Sequence, residues 1–344
     1  ARGHLLLIGG GDKPPEVMRK FIELAGGKDA PIVAIPTASS EPDAAEYYQT
    51  LFRKTYGCTN AVSLDIRKKA DAERADWAAL ARKAKGIFFG GGDQIRITNA
   101  LLGTPVGDAI AAAFADGAVV GGTSAGTACQ SEVMITGEGD FSLVATRSVE
   151  TWTGLGFLPG NVVVDQHFLK RQRENRLLSV VLERPDLLGV GVDEATAAWF
   201  RPDGTFEVLG RSAVMVLDAK GAAVHRRERE TGQDSLGVHG LTLQMQYSVS
   251  LGGRFNEPRF KAENAGDVTA CAGIFSSVLR KCQIGTFSQH IEWTETDGFK
   301  VWFQLDLRYE HFNGGSNGMT VAEFRFENGK WSKRNFKGED AEER

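Results

Sequence analysis

A serine held between glycines is the first chemical signal in this chain: Gly121-Gly122-Thr123-Ser124-Ala125-Gly126. Its last five residues fit G-x-S-x-G, the pattern of a nucleophile placed on a sharp strand-to-helix turn. The glycines let the backbone turn tightly and keep side chains away from the hydroxyl. Such a hydroxyl can attack a carbonyl if backbone N–H groups hold the oxyanion that develops. Ala125, at the start of the next helix, is one such donor. A glycine-rich turn with an incidental serine, or a phosphate loop, would look the same in so short a motif. The rest of the chain must therefore supply a base.

A serine nucleophile is usually served by histidine, and the chain has 6. His4 opens the first strand, at the wrong end for a site. His225 adjoins a linker candidate, and His239, His290 and His311 fall in a late segment of different character. His167 remains, closing the apolar run Asn161–Val164 at Asp165-Gln166-His167-Phe168. The base needs a carboxylate to hold its tautomer and stabilise the imidazolium. Glu194, ending the run Leu188–Val192, is the preferred candidate. Asp165 competes, because residues i and i+2 of a strand project from one face. The order Ser…His…Glu differs from that of α/β-hydrolases, where the acid precedes the histidine.

Downstream of His167 lies Lys170-Arg171-Gln172-Arg173-Glu174-Asn175-Arg176. Read as a helix start, it puts Arg173 and Arg176 on one side. Helix N-termini disfavour cations, so a cluster there suggests a grip on a substrate carboxylate. A solvated basic face is the plainer reading. Gly90-Gly91-Gly92-Asp93-Gln94 ends another apolar run. Gly91 or Gly92 could supply a second oxyanion donor and Gln94 could bind substrate, or Asp93 could simply cap a helix. Gly9-Gly10-Gly11-Asp12 is a third glycine-rich strand end. It lacks the spacing of a dinucleotide loop and is expected to floor the same cleft.

These residues need a scaffold of strands ending side by side. Over the first 225 residues, apolar strands alternate with amphipathic helices: His4–Ile8, Pro14–Ala25, Ile32–Ile35, Asp43–Tyr56, Ala61–Ile66, Ala72–Lys85, Gly86–Phe89 and Ala118–Gly121. Continuous apolar strands imply a sheet covered on both faces. The expected fold is α/β, with a doubly wound, mostly parallel sheet and its site outside the strand C-termini. After Gly191 short strands follow one another. The charged run Arg226–Glu230 leads into a polar stretch ending at Ser235, the best linker candidate. Alternating segments beyond it predict an antiparallel β-rich module over roughly 236–338, and the tail Gly338–Arg344 is expected to fray. The division is thus 1–230 for catalysis and 236–338 for a module of unknown role. Trp293, Trp302 and Trp331 in that module could present aromatic faces, though core packing is the plainer use.

Composition narrows the function classes. The chain has 344 residues, 42% of them hydrophobic, enough for a large core. A formal net charge of −4 argues against a nucleic-acid binder or a membrane-surface binder. No apolar run reaches the ~18 residues a membrane helix needs. The 4 cysteines, Cys58, Cys129, Cys271 and Cys282, include no CxxC pair, which argues against structural zinc. Cys271 and Cys282 could pair or remain separate thiols. The chain starts at Ala1 with neither Met nor a signal-peptide pattern. A leader removed beforehand would imply a secreted or periplasmic protein, and its absence a cytoplasmic one.

Together, GGTSAG, the DQHF segment with its arginines, GGGDQ and the DEATA segment resemble the cyanophycinase family of serine peptidases, which includes peptidase E. The resemblance spans about residues 4–225. It implies a fold related to class I glutamine amidotransferases, with serine at the elbow, and a triad of Ser124, His167 and Glu194. It implies homodimers, no metal and no cofactor. It also implies hydrolysis of cyanophycin, a poly-aspartate carrying arginine on each side-chain carboxyl, to β-Asp-Arg dipeptides. By position, Gln94, Asp165, Gln166, Arg171, Arg173 and Arg176 would bind substrate. An aspartyl or isoaspartyl dipeptidase of the peptidase E type is the alternative. Thr127 departs from the alanine usual in the family, and the late module is a larger departure.

Overall fold

Leu5–Ile8 is an unbroken apolar tetrapeptide, and all four residues are buried. Leu5 and Leu7 belong to one apolar cluster, Leu6 and Ile8 to another. Alternate residues of the strand therefore face two different layers. The same partition holds for Ile32–Ile35, where Val33 and Ile35 face one way and Ile32 and Ala34 the other. A computed structural model of the chain describes residues 2–139, 149–171, 173–221, 223–227, 235–239, 242–247, 287–294, 298–310, 316–327 and 330–334.

Five strands run parallel: β1 (Leu5–Ile8), β2 (Ile32–Ile35), β3 (Ala61–Ser63), β4 (Gly86–Phe89) and β5 (Val119–Thr123). Between them lie α1 (Pro15–Leu24), α2 (Ala44–Thr50), α3 (Ala75–Lys83), α4 (Gln94–Leu101) and α5 (Pro105–Ala115). Proline opens α1 and α5, where its missing N–H costs nothing. Asp93 caps α4 by accepting from the Ile95 N–H at 2.8 Å. Rather than one helix to Tyr56, α2 gives way after Thr50 to a single π turn, Leu51–Thr55.

The chain then makes the short α6 (Ala125–Ala128), the hairpin β6 (Val133–Gly139) and β7 (Val149–Thr153), then β8 (Val162–Gln166) and α7 (Glu174–Glu183). Next come β9 (Leu188–Val192), β10 (Thr196–Phe200), β11 (Phe206–Gly210) and β12 (Ala213–Asp218). The large sheet has the order β11-β10-β1-β5-β4-β2-β3, with β10 and β11 antiparallel. A second sheet holds β8 and β9 in parallel, with β12 antiparallel to β9. Val164, Val190, Val192 and Val214 of that sheet join the cluster that contains Leu5 and Leu7. The expected mostly parallel α/β sheet is present.

The later chain differs from expectation in two places. The expected linker sits between β13 (Ala223–Arg227) and β14 (Ser235–His239), which pair antiparallel with Arg227 opposite Ser235. It thus connects two partnered strands. Next, β15 (Thr242–Tyr247) pairs along its whole length with β12 and forms the edge of the second sheet. The second sheet therefore includes residues beyond the boundary expected near residue 230. Composition changes near 230, but hydrogen bonding to β12 is a long-range pairing that local composition cannot reveal. Further on, β16 (Phe287–Thr294), β17 (Gly298–Glu310), β18 (Ser316–Glu327) and β19 (Lys330–Arg334) form an antiparallel meander. Cys271, Cys282 and the charged tail lie outside the described residues.

Candidate active site

Three strand ends converge on one backbone. The Ser124 N–H donates to the Ile8 carbonyl at 3.0 Å, and the His167 N–H to the Gly9 carbonyl at 2.6 Å. The Ala195 N–H donates to the Gly10 carbonyl at 2.9 Å, and the Gly9 N–H to the Thr196 carbonyl at 2.9 Å. Consecutive residues at the end of β1 thus fix the segments bearing serine, histidine and glutamate. Gly10 has φ +112°, and a Cβ there would lie 2.3 Å from His167 Cε1. A Cβ on Gly11, at φ +63°, would fall 2.9 Å from Glu194 Oε2. The glycines leave the space that the imidazole and the carboxylate occupy.

Ser124, His167 and Ala195 are non-glycine residues with positive φ, at 54°, 50° and 53°. Such conformations cost energy and cluster where a surrounding fold imposes them for a purpose. At Ser124 the strained turn is enforced from behind. A Cβ on Gly122 would meet the Gly126 carbonyl oxygen at 2.0 Å, and one on Gly126 would meet that of Phe89 at 2.3 Å. The Thr127 hydroxyl lies 2.6 Å from the Ile8 carbonyl oxygen and 2.9 Å from that of Gly122, so this departure from alanine adds a tie beneath the elbow.

The Ser124 Oγ is 2.8 Å from His167 Nε2, and His167 Nδ1 is 2.5 Å from Glu194 Oε1. Residues 43 and 27 positions apart thus form one hydrogen-bonded line. Of the two candidate acids, Glu194 meets the ring, while Asp165 is engaged elsewhere. Asp193, the neighbour of Glu194, points away and accepts from the Lys170 N–H at 2.8 Å and the Ser212 hydroxyl at 2.6 Å. Burial lowers the His167 pKa. The Glu194 hydrogen bond pushes it back up, and the Arg171 and Arg173 charges add to the lowering. The net direction is downward, which keeps the ring neutral and able to accept a proton.

A cleft of about 410 Å³ opens onto Ser124 and His167. Gly11, Lys13, Glu41, Asp43, Tyr48 and Gly91 contribute to its walls. The expectation that the first glycine-rich strand end reaches this cleft holds at Gly11. Ala125 is the first residue of α6, where an N–H has no intrahelical partner. Gly91 lines the cleft, and its N–H donates to the Tyr48 hydroxyl at 3.3 Å. Gly92 does not line the cleft. A Cβ on it would lie 2.1 Å from the Ala38 carbonyl oxygen.

The six residues expected to bind substrate fall outside that lining. Asp165 and Arg176 are each 1% exposed and form an ion pair, with Arg176 Nε donating to Asp165 Oδ2 at 2.8 Å. Both are engaged with one another inside the protein, because Arg176 sits within the buried helix α7. The basic stretch largely precedes that helix, so Arg173 does not share a helical side with Arg176. Arg173 Nη1 donates to the Gln166 carbonyl at 2.9 Å and to Gln166 Oε1 at 2.7 Å. Burial, then the Arg176 charge, bring the Arg173 pKa down to about 10, so it stays cationic at neutral pH. Gln94 is buried and donates to the Ile135 carbonyl at 2.8 Å. Arg171 is exposed. Sequence reasoning missed Tyr48, which sits mid-helix with no motif around it. Among the described residues no group of His, Cys, Asp and Glu could hold a metal ion.

A strained serine at a strand end, hydrogen-bonded to a histidine that is itself hydrogen-bonded to a carboxylate, is the arrangement of serine hydrolases. The model of peptidase family S51 matches residues 5–208, and the chain belongs to that family. It is a serine-type peptidase. The chain is 37% identical over 249 residues to a cyanophycinase of Synechococcus elongatus, covering 71% of this chain and 77% of that one. It is 35% identical over 260 residues to a cyanophycinase of Geminocystis herdmanii, covering 74% and 94%. A crystal structure of a peptidase from an acI-B1 Actinobacterium has the same fold, with a TM-score of 0.51 at 26% identity over 62% of this chain and 90% of that one.

Proposed function

We propose that this peptidase hydrolyses cyanophycin through a Ser124 acyl-enzyme and releases β-Asp-Arg. His167 takes the Ser124 proton as Oγ bonds to the backbone carbonyl carbon of an aspartyl unit. The carbonyl oxygen becomes an oxyanion, met by the Ala125 N–H and by a donor from the Gly91 side of the cleft. His167 then passes the proton to the leaving amine as the C–N bond breaks. Water, deprotonated by the same ring, attacks the ester and frees Ser124. Glu194 orients the imidazole and stabilises its cationic form. The reaction consumes one water and needs no redox partner.

The observation that carries this reading is the line from Ser124 Oγ through His167 to Glu194, at 2.8 and 2.5 Å. Substrate charge supports it. Each cyanophycin unit presents a guanidinium and a carboxylate, and the cleft offers Lys13 beside Glu41 and Asp43. Arg171 and Arg173, both close enough to shift the His167 pKa, are proposed to meet substrate carboxylates. Gln166 holds Arg173, and the Asp165–Arg176 pair and Gln94 brace the site from within. We further propose a homodimer, as in the family resemblance. Incubation with insoluble cyanophycin, followed by mass analysis, is expected to release β-Asp-Arg, and Ser124→Ala to release none. Turnover of aspartyl dipeptides without attack on the polymer would reject the substrate.

A further inference from the structure

Tyr48 is buried in the helix layer, yet it lines the same cleft as Ser124 and His167. Its hydroxyl oxygen accepts the Gly91 N–H at 3.3 Å. Gly91 lies against the serine, since a Cβ built on it would be 3.4 Å from Ser124 Cβ. The preceding glycine makes room for the phenol. A Cβ on Gly90 would come 2.8 Å from Tyr48 Cε2 and 3.0 Å from its oxygen. A phenol has one proton to donate as well as lone pairs to accept with. Here the oxygen accepts, and among the described residues no acceptor is placed to take that proton.

We infer that Tyr48 donates its phenolic O–H to the substrate carbonyl oxygen as it becomes an oxyanion, while the Gly91 N–H anchors the phenol instead of meeting substrate itself. The inference rests on the serine-peptidase chemistry proposed above and supplies its second donor. A hydrogen bond accepted by the phenol polarises its O–H, so the chain from Gly91 through Tyr48 strengthens the outgoing donation. Burial pushes the phenol pKa up to about 12, so the proton is retained at physiological pH. The π turn that begins three residues later, at Leu51, breaks the helix register just beyond Tyr48, and such turns are frequent at functional sites.

Tyr48→Phe keeps the ring and frees the Gly91 N–H, so the two candidate donors give opposite results. Labelling of Ser124 by a fluorophosphonate probe, whose phosphoryl oxygen takes the oxyanion's place, is expected to slow by about 10²–10³-fold. Labelling at the original rate or faster would overturn the inference, because the freed Gly91 N–H would then suffice. The probe is indifferent to peptide sequence, so failure on cyanophycin leaves this test standing. Absence of labelling in the unaltered protein would remove the serine chemistry and this inference with it. A ring-fluorinated tyrosine at position 48 separates donation from support. Its phenol ionises at lower pH, and the alkaline limb of the labelling rate should move down with it. A phenol that only accepts from Gly91 would serve equally well ionised, and an unmoved limb would overturn the assignment.

Discussion

His167 must be neutral to act as base, and desolvation lowers its pKa despite Glu194. The acid limb of kcat/KM should therefore lie below the ordinary histidine value, with activity lost as pH falls through it. Arg171→Gln removes a cation that disfavours the imidazolium. The limb should then shift to higher pH, and added salt should have the same sign of effect in the unaltered enzyme. A pH–rate profile at two ionic strengths checks both. Gly10→Ala is a second test at this scale. The new methyl would need the space of the His167 ring, at a backbone angle strained for alanine. A displacement of the base by about 1 Å is expected to cost about 100-fold in kcat/KM. The three residues of the hydrogen-bonded line were legible as a set because each ends an apolar strand and few histidines competed. Tyr48 was not, because neither local motif nor periodicity says that a helix residue looks into a cleft.

The elements explain what the arginine cluster conceals. Arg176 points from α7 into the protein and meets Asp165 at the end of β8, whereas Arg171 is exposed on the turn before that helix. The sequence displays three arginines in one stretch without revealing which is covered. Asp165→Asn should therefore act chiefly on stability, depriving the buried Arg176 guanidinium of the Asp165 charge at a cost of up to about 3–5 kcal/mol. Replacing Asp165 and Arg176 together by apolar residues of similar volume should recover most of that loss. Urea denaturation of the single and double variants distinguishes this bracing role from simple substrate contact, which would leave the midpoint unchanged. The glycine-rich turns were legible as turns, since only glycine tolerates such close backbone approach. Their direction toward a common point was not, because it depends on which strands become neighbours.

At the scale of the molecule, the two sheets share a hydrophobic layer that includes Leu5, Leu7, Val164, Val190 and Val214. The edge of the second sheet, β15, lies beyond the compositional break near residue 230. A chain ended at 230 would leave β12 as an unpaired edge beside that layer. It is expected to melt at lower temperature and associate more readily than a chain ended at 250, as thermal scans with light scattering would report. An equal melting temperature for the two would mean that β15 adds nothing to the α/β fold. The antiparallel meander was anticipated from alternation alone, because each strand pairs with its neighbour in sequence. The β12–β15 pairing was not, since it skips the intervening hairpin.

The tetrapeptide Ile8–Gly11 acts as a jig: it holds the segments of Ser124, His167 and Glu194 through its own carbonyls and empty Cβ positions. During translation this jig is made before the three segments it holds, and the glutamate's segment comes last of them. Until then the imidazole lacks its hydrogen bond to Glu194. The hydrogen-bonded line of serine, histidine and glutamate can therefore close only when most of the α/β portion has been made.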